Sequence, residues 1–297
     1  MPDAGWRHRL SRLDPSAGAD RELILRLATA LAGVPIIVAV ILVGGEWLAA
    51  GLALVLVVGY FEFSQAMDLS HREPLVWVGA AGVASLVAVS VTRDIPTTWP
   101  LTAGVLALFA TPVVDELARS RWRHEAAVPS FAEMYRRAGA AVLGLLYVGW
   151  LGSFVMLLRE FPDGEEWLLL AIFAAMATDT GAFATGKLLG RHRLAPRISP
   201  NKTVEGALGG WAVGVSAVLA LHLLPNIDVA YWKLVFLALV VPIMAQLGDL
   251  TASVIKRAAD VKDFSRLIPG HGGLLDRMDS ILFTVPIVYF FVRWVVL

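Results

Sequence analysis

Nine stretches of this chain are apolar for close to the length a helix needs to cross a bilayer, and little sequence lies between them. A crossing helix takes about 20 mostly apolar residues, each rising about 1.5 Å. The candidates lie near 24–43, 47–63, 75–92, 99–114, 138–158, 167–189, 207–224, 231–254 and 280–297. Backbone amides find no water in hydrocarbon, so each stretch must close its own hydrogen bonds as a helix. The expected fold class is all-α, a polytopic transmembrane helical protein with about nine spanning helices. Composition agrees, with 57% hydrophobic and 17% charged residues, against about 25% charged in a soluble chain. No internal repeat is visible, and no room remains for a separate soluble domain. The expected organisation is an arm at 1–23, a transmembrane region at 24–137, and a second at 138–297 that carries most of the polar chemistry.

The chain has no cysteine, which excludes disulfides, thiolate metal sites and cysteine nucleophiles. Its 25 basic and 25 acidic residues cancel overall but are unevenly spread. With a cytoplasmic N-terminus, the alternation of spans puts every basic residue inside except Arg93, Arg159, Lys233 and Arg293. That is the positive-inside pattern, and it predicts an external C-terminus and a place in the cell's inner membrane. Trp47, Trp99, Trp167 and Trp232 each open a segment on the outer side, as an interfacial aromatic belt would place them. The arginines between 119 and 137 read as headgroup-facing. Trp6, Leu10 and Leu13 share a helical face suited to the membrane surface, although a disordered tail fits the arm equally well.

Two inner stretches differ in kind. The first, TDTGAFATGKLLGRHRLAPRISPNKTVEG, runs from Thr178 to Gly206. Asp179 falls deep within a span, where an ionisable group is costly and is a functional candidate by default. Lys202 and Thr203 resemble the tail of a P-loop, but Pro196 and Asn201 occupy the glycine positions and that reading fails. The lysines, arginines and hydroxyls, Ser199 among them, can still gather around a polyphosphate.

The second stretch begins at QLGDLTASVIKR. Asp249, Ser253 and Lys256 recur at i, i+4 and i+7 on one helical face. It leads into VKDFSRLIPGHGGLLDRMDS, where Asp276 and Asp279 are three apart on another expected helical face. Carboxylates gathered in a low dielectric repel one another, and a divalent cation removes that cost. Oxygen-only donors point to magnesium, so the expected metal ligands are Asp249, Asp276 and Asp279. Gly270, Gly272 and Gly273 let backbone approach a ligand and present N–H groups to an anion. His271 suits a phosphate oxygen, as do Lys256 and Arg257, with Lys262 and Arg277 alongside them. Together these residues read as a metal and phosphate site at the cytoplasmic membrane boundary.

SVIKRAADVKDFSRLIPGHGGLLDRMD, from Ser253 to Asp279, resembles the signature of the phosphatidate cytidylyltransferase (CDP-diacylglycerol synthase) family. DTGAFATGKLLGRHRL…ISPNKTVEG is similar to that family's second block, with Phe183 where members often carry tyrosine. The match is strong over roughly the C-terminal 125 residues, whereas the rest fits only as a set of spans. The resemblance implies a magnesium-dependent reaction of CTP with phosphatidate, giving CDP-diacylglycerol and pyrophosphate. It also implies a homodimer, a cation site on Asp249 and Asp276 with Asp279 close by, and an associated potassium ion.

The expected partners are CTP, phosphatidate, the bilayer and a second copy of the chain, and not nucleic acid. Phosphatidate is already an anion, so the transfer needs alignment and charge neutralisation more than a base. Lys256, Arg257, His271, Asp249 and Asp276 are the expected catalytic residues. Ser199, Lys202, Thr203, Ser253, Lys262, Gly272, Gly273, Arg277 and Asp179 are the expected substrate contacts. Two alternatives stay open, a CTP-dependent polyprenol kinase or cytidylyltransferase for another lipid phosphate, and an ion-coupled transporter. Charge gathered on one membrane face without an inverted repeat disfavours the transporter.

Overall fold

The structure, a computed structural model, describes residues 33–92, 95–122, 130–221, 227, 229–268 and 272–297, the side chains of 118–122 and of 221 excepted. The arm at 1–23 and His271 lie outside the described residues. The helices follow the apolar runs in order: α1 Gly33–Val43, α2 Gly45–Ala66, α3 Pro74–Thr92, α4 Thr98–Trp122 and α5 Phe131–Arg159. Then come α6 Gly164–Leu189, α7 Val204–Leu221, α8 Tyr231–Ala258 and α9 Ile281–Val296. Among the described residues six helices are long and apolar enough to cross a membrane, while α1, α7 and α9 are apolar but shorter. The protein is therefore all-α and multi-pass. A small departure is an antiparallel hairpin after α6, β1 Arg193–Ala195 and β2 Ser199–Thr203, with Arg193 opposite Thr203.

Aspartates in the left-handed region close several helices: Asp68 after α2, Asp163 between α5 and α6, and Asp260 after α8. The short polar side chain tolerates that conformation where an apolar residue would not. Helix α5 passes through a π-helical segment, Leu145–Trp150, without breaking. The boundary expected between 137 and 138 falls inside this helix. Its residues share one buried cluster with Leu56, Leu86, Leu168 and Leu237, so the two regions form a single core.

Polar clips mark the two ends of the bundle. At one end Arg159 pairs with Glu165 at 2.8 Å and donates to the Ile41 carbonyl, while Lys233 reaches the Val295 carbonyl. At the other, Arg137 binds Glu73 and Glu133 at 2.7 and 2.8 Å. Arg136 also binds Glu133, so these two arginines have protein partners in addition to any headgroup. Trp47, Trp99 and Trp232 stand exposed as a belt requires, but Trp167 is only 3% exposed and packs on Phe291. It is a core residue, because the start of α6 is covered by α9.

Between helices in lipid the hydrophobic effect gives no driving force, so close packing of small residues takes over. Helices α6 and α7 show this. A Cβ on Gly210 would fall 2.7 Å from both Ala182 Cβ and the Thr178 carbonyl oxygen. This contact fixes the helix bearing Asp179 against the helix that follows the hairpin.

Candidate active site

The polar face of α8 is the spine of the site. Asp249 and Lys256 do lie on one side of the helix, but each reaches a different partner. Asp249 Oδ2 is 2.7 Å from Lys202 Nζ on β2. Lys256 Nζ is 2.7 Å from Asp276 Oδ1, with the two side chains 13% and 4% exposed. One helix thus ties the hairpin to the loop between α8 and α9. Arg257 reinforces the join by donating to the carbonyls of Ile198 and Val261.

The α8–α9 loop wraps around two carboxylates. Asp276 Oδ2 accepts from the backbone N–H of Phe264 and of Gly273, both at 3.0 Å. Glu62, arriving from α2 and only 5% exposed, accepts from Ser265 Oγ at 2.5 Å, Leu274 N at 2.9 Å and Leu275 N at 2.8 Å. Gly273 runs between them: a Cβ there would lie 2.9 Å from Glu62 Oε2 and 3.1 Å from Asp276 Oδ2. Gly272 has φ +80 and bridges back to Ile268. No side chain fits comfortably in either place.

The shared helical face expected for Asp276 and Asp279 does not form. Leu275–Arg277 is a single 3-10 turn and the α-helix starts only at Ile281. Asp276 folds back into the loop, while Asp279 lies against α8. Gly248 permits that approach, since a Cβ on it would be 2.4 Å from the Asp279 carbonyl oxygen. Ser280 Oγ donates to Asp179 Oδ2 at 2.9 Å, and Ser280 N donates to Asp279 Oδ1 at 2.8 Å, which links α6 to the start of α9. Burial, and then the charges of Asp249 and Asp179, push the Asp279 carboxyl up to about 7.

Beside this junction opens a cleft of about 460 Å³, lined by Asp179, Lys187, Lys202, Thr203 and Asp249 together with apolar residues such as Phe183. Lys187 Nζ sits 6.0 Å from the Phe183 ring centroid. Thr203 Oγ1 accepts from Gly206 N and so caps the start of α7, besides lining the cleft. Ser199 opens β2, Ser253 is half-buried on α8, and Lys262 and Arg277 are exposed. Glu205 was not singled out from the sequence. It accepts from the backbone N–H of Arg191 and His192 and meets His192 Nδ1 at 2.6 Å, which pins the approach to the hairpin. Glu62 was also missed, although an acid within an apolar run is itself a signal.

The donor set can be tested for a cation. Among the described residues no three carboxylate or imidazole groups stand close enough together to hold one. Asp276 fits poorly, because Lys256 and two backbone N–H groups already take both its oxygens. The expected trio of Asp249, Asp276 and Asp279 is therefore not assembled. Asp249 and Asp179 fit better: both line the cleft and each makes few protein contacts. Both are hard oxygen donors, and magnesium commonly takes one or two carboxylates together with substrate phosphates.

Over residues 24–295 the chain matches the profile of the family described as "Cytidylyltransferase family". It is 33% identical over 300 residues to a phosphatidate cytidylyltransferase of a Synechocystis species, covering 90% of this chain and 95% of that protein. It is 40% identical over 150 residues to one from Staphylococcus saprophyticus, covering 50% and 57% of the two chains. It is 38% identical over 157 residues to one from Bacillus subtilis, covering 52% and 58%. In the last two cases the matched part is less than two thirds of the relative's length.

Proposed function

The chain belongs to the cytidylyltransferase family, and from that premise we propose that it joins CTP to phosphatidate, forming CDP-diacylglycerol and releasing pyrophosphate. The observation that carries this reading is the cleft where Lys202, Asp249 and Asp179 converge, at the helix α8 that runs on into the signature stretch. It brings a cationic hairpin, suited to a water-soluble triphosphate, next to helices that contact lipid.

In the reaction a phosphatidate oxygen attacks the α-phosphorus of CTP, and the bond to the β-phosphate bridging oxygen breaks. The nucleophile needs no strong base, so the residues orient and neutralise. Lys202 and Lys187 hold triphosphate oxygens. A polyphosphate competes well with Asp249 for the Lys202 ammonium, and the exchange frees an Asp249 oxygen for a cation that would accompany the phosphates. The backbone at Gly272 and Gly273 is shaped by the two carboxylates beneath it, with the Gly273 N–H donated to Asp276. Lys256 acts by fixing Asp276 and through it the loop, a different role from direct phosphate contact.

Asp249 and Asp179 would hold magnesium together with the nucleotide's own phosphates, and the ion when bound supplies positive charge to the phosphate oxygens as pyrophosphate leaves. A potassium ion and a homodimer are carried over from the family resemblance. The partition of basic residues favours an inner membrane with the cleft facing the cytoplasm.

The test uses purified protein in lipid nanodiscs with CTP labelled at the α- or the γ-phosphate. The proposal expects lipid labelling only from α-labelled CTP and only with phosphatidate as acceptor. Transfer of the γ-label to a polyprenol would replace it with the kinase reading.

A further inference from the structure

We propose that Glu62 is a positioning residue for the transfer reaction, and that its carboxylate sets the shape of the signature loop from the opposite side to Asp276. The inference rests on the cytidylyltransferase reading, but it concerns a helix to which the signature motifs assign nothing.

An acidic side chain inside an apolar helix is expensive to bury, and it persists only where something uses it. Here the use is specific. Oε1 accepts from Ser265 Oγ and Leu274 N, and Oε2 from Leu275 N. These contacts lie on both sides of Gly272 and Gly273 in the chain. Asp276 grips the same loop through Phe264 N and Gly273 N, and Lys256 fixes Asp276 to α8. Without Glu62 the loop would be held from one side only, and Leu274 and Leu275 would lose their acceptor.

The chemistry demands a carboxylate rather than any polar group. All three contacts are donated toward Glu62, and they use both of its oxygens. Glutamine has nearly the same volume but only one oxygen, so its amide nitrogen must face a donor. In a buried network one mismatch of this kind loosens the whole loop. Aspartate keeps both acceptors but is one methylene too short to reach. The closeness of Gly273 to Glu62 makes the fit tight, because displacement of either one moves the other.

A merely structural anchor and a positioning residue differ in what they move. The experiment uses the full chain in nanodiscs, comparing wild type with Glu62→Gln and Ser265→Ala. It reads hydrogen exchange across 264–280, thermal unfolding, and kcat and KM for CTP and phosphatidate separately. For Glu62→Gln we expect faster exchange confined to that segment and a kcat lower by about tenfold or more, as for residues that orient a site indirectly. KM for both substrates should change little. Ser265→Ala, which removes one of the three donors, should shift both readouts in the same direction by less. If Glu62→Gln fails to fold, this milder variant still decides the matter. Native kcat in a folded variant, or exchange that rises equally throughout the protein, would overturn the proposal. A wild type without cytidylyl transfer would instead defeat the reading beneath it, which the exchange data alone do not test.

Discussion

Replacing Lys256 with methionine should destabilise the α8–α9 loop, and reverting the charge imbalance should repair it. Methionine keeps most of the stem and its packing but deletes the ammonium. Asp276, whose side chain is 4% exposed, then retains two backbone N–H donors on one oxygen and nothing on the other. Stranding one member of a buried ion pair typically costs about 3–5 kcal/mol. The remaining N–H donors place this case near the lower end, at about 3 kcal/mol. Loss of the ammonium from its place 5.4 Å from the Phe264 ring centroid adds about 0.5–1 kcal/mol. Whole domains are stable by only about 5–15 kcal/mol, so the effect is large. Adding Asp276→Asn removes the stranded charge while an amide oxygen still accepts from the loop. The double variant should therefore be more stable than Lys256→Met alone. Denaturant titration in detergent, followed by tryptophan fluorescence, measures all three changes in one cycle. Strictly additive losses would refute the reasoning, because they would mean that the two side chains are not coupled.

Gly273→Ala should abolish turnover through a local change, since the new Cβ would press on both carboxylates; exchange of 264–280 should rise while the melting temperature falls only modestly. Lys202→Met should weaken CTP binding by about 1.5–3 kcal/mol, the worth of a hydrogen bond to a charged group, and equilibrium binding of CTP measures it. Arg197→Cys and Lys262→Cys, the only cysteines in an otherwise cysteine-free chain, should both react with an impermeant thiol reagent only from the cytoplasmic side. Labelling from opposite sides would break the topology.

The membrane spans were legible because each needs a long apolar run, and composition reveals that directly. What the sequence hid is how polar residues pair across helices. The 3.6-residue period placed Asp249 and Lys256 together, and they do share a face of α8. The same period misled at Asp276 and Asp279, because Leu275–Arg277 is an isolated 3-10 turn before α9 begins. The hairpin went unseen because its strands are three and five residues long and lie in a basic stretch that carries no alternation. Glu62 was hidden by averaging, since one acid hardly lowers the hydropathy of a span. Its partners lie more than 200 residues away, and no local pattern encodes them. The glycines at 248 and 273 were legible as backbone freedom only at 273. At 248 the reason is a neighbouring helix.

The central claim is that transfer takes place in the cleft, with Asp249 toward the cation that neutralises the reacting phosphates and Asp276 holding the loop. The most direct test is incorporation of α-labelled CTP into phosphatidate by folded Asp249→Asn as magnesium is raised. The account predicts a loss of about a hundredfold or more at every magnesium concentration, with native melting and native exchange in 264–280. Asp276→Asn, measured beside it, should lose loop protection together with activity. Turnover near wild type in Asp249→Asn would contradict the account, because the chemistry would then lie elsewhere.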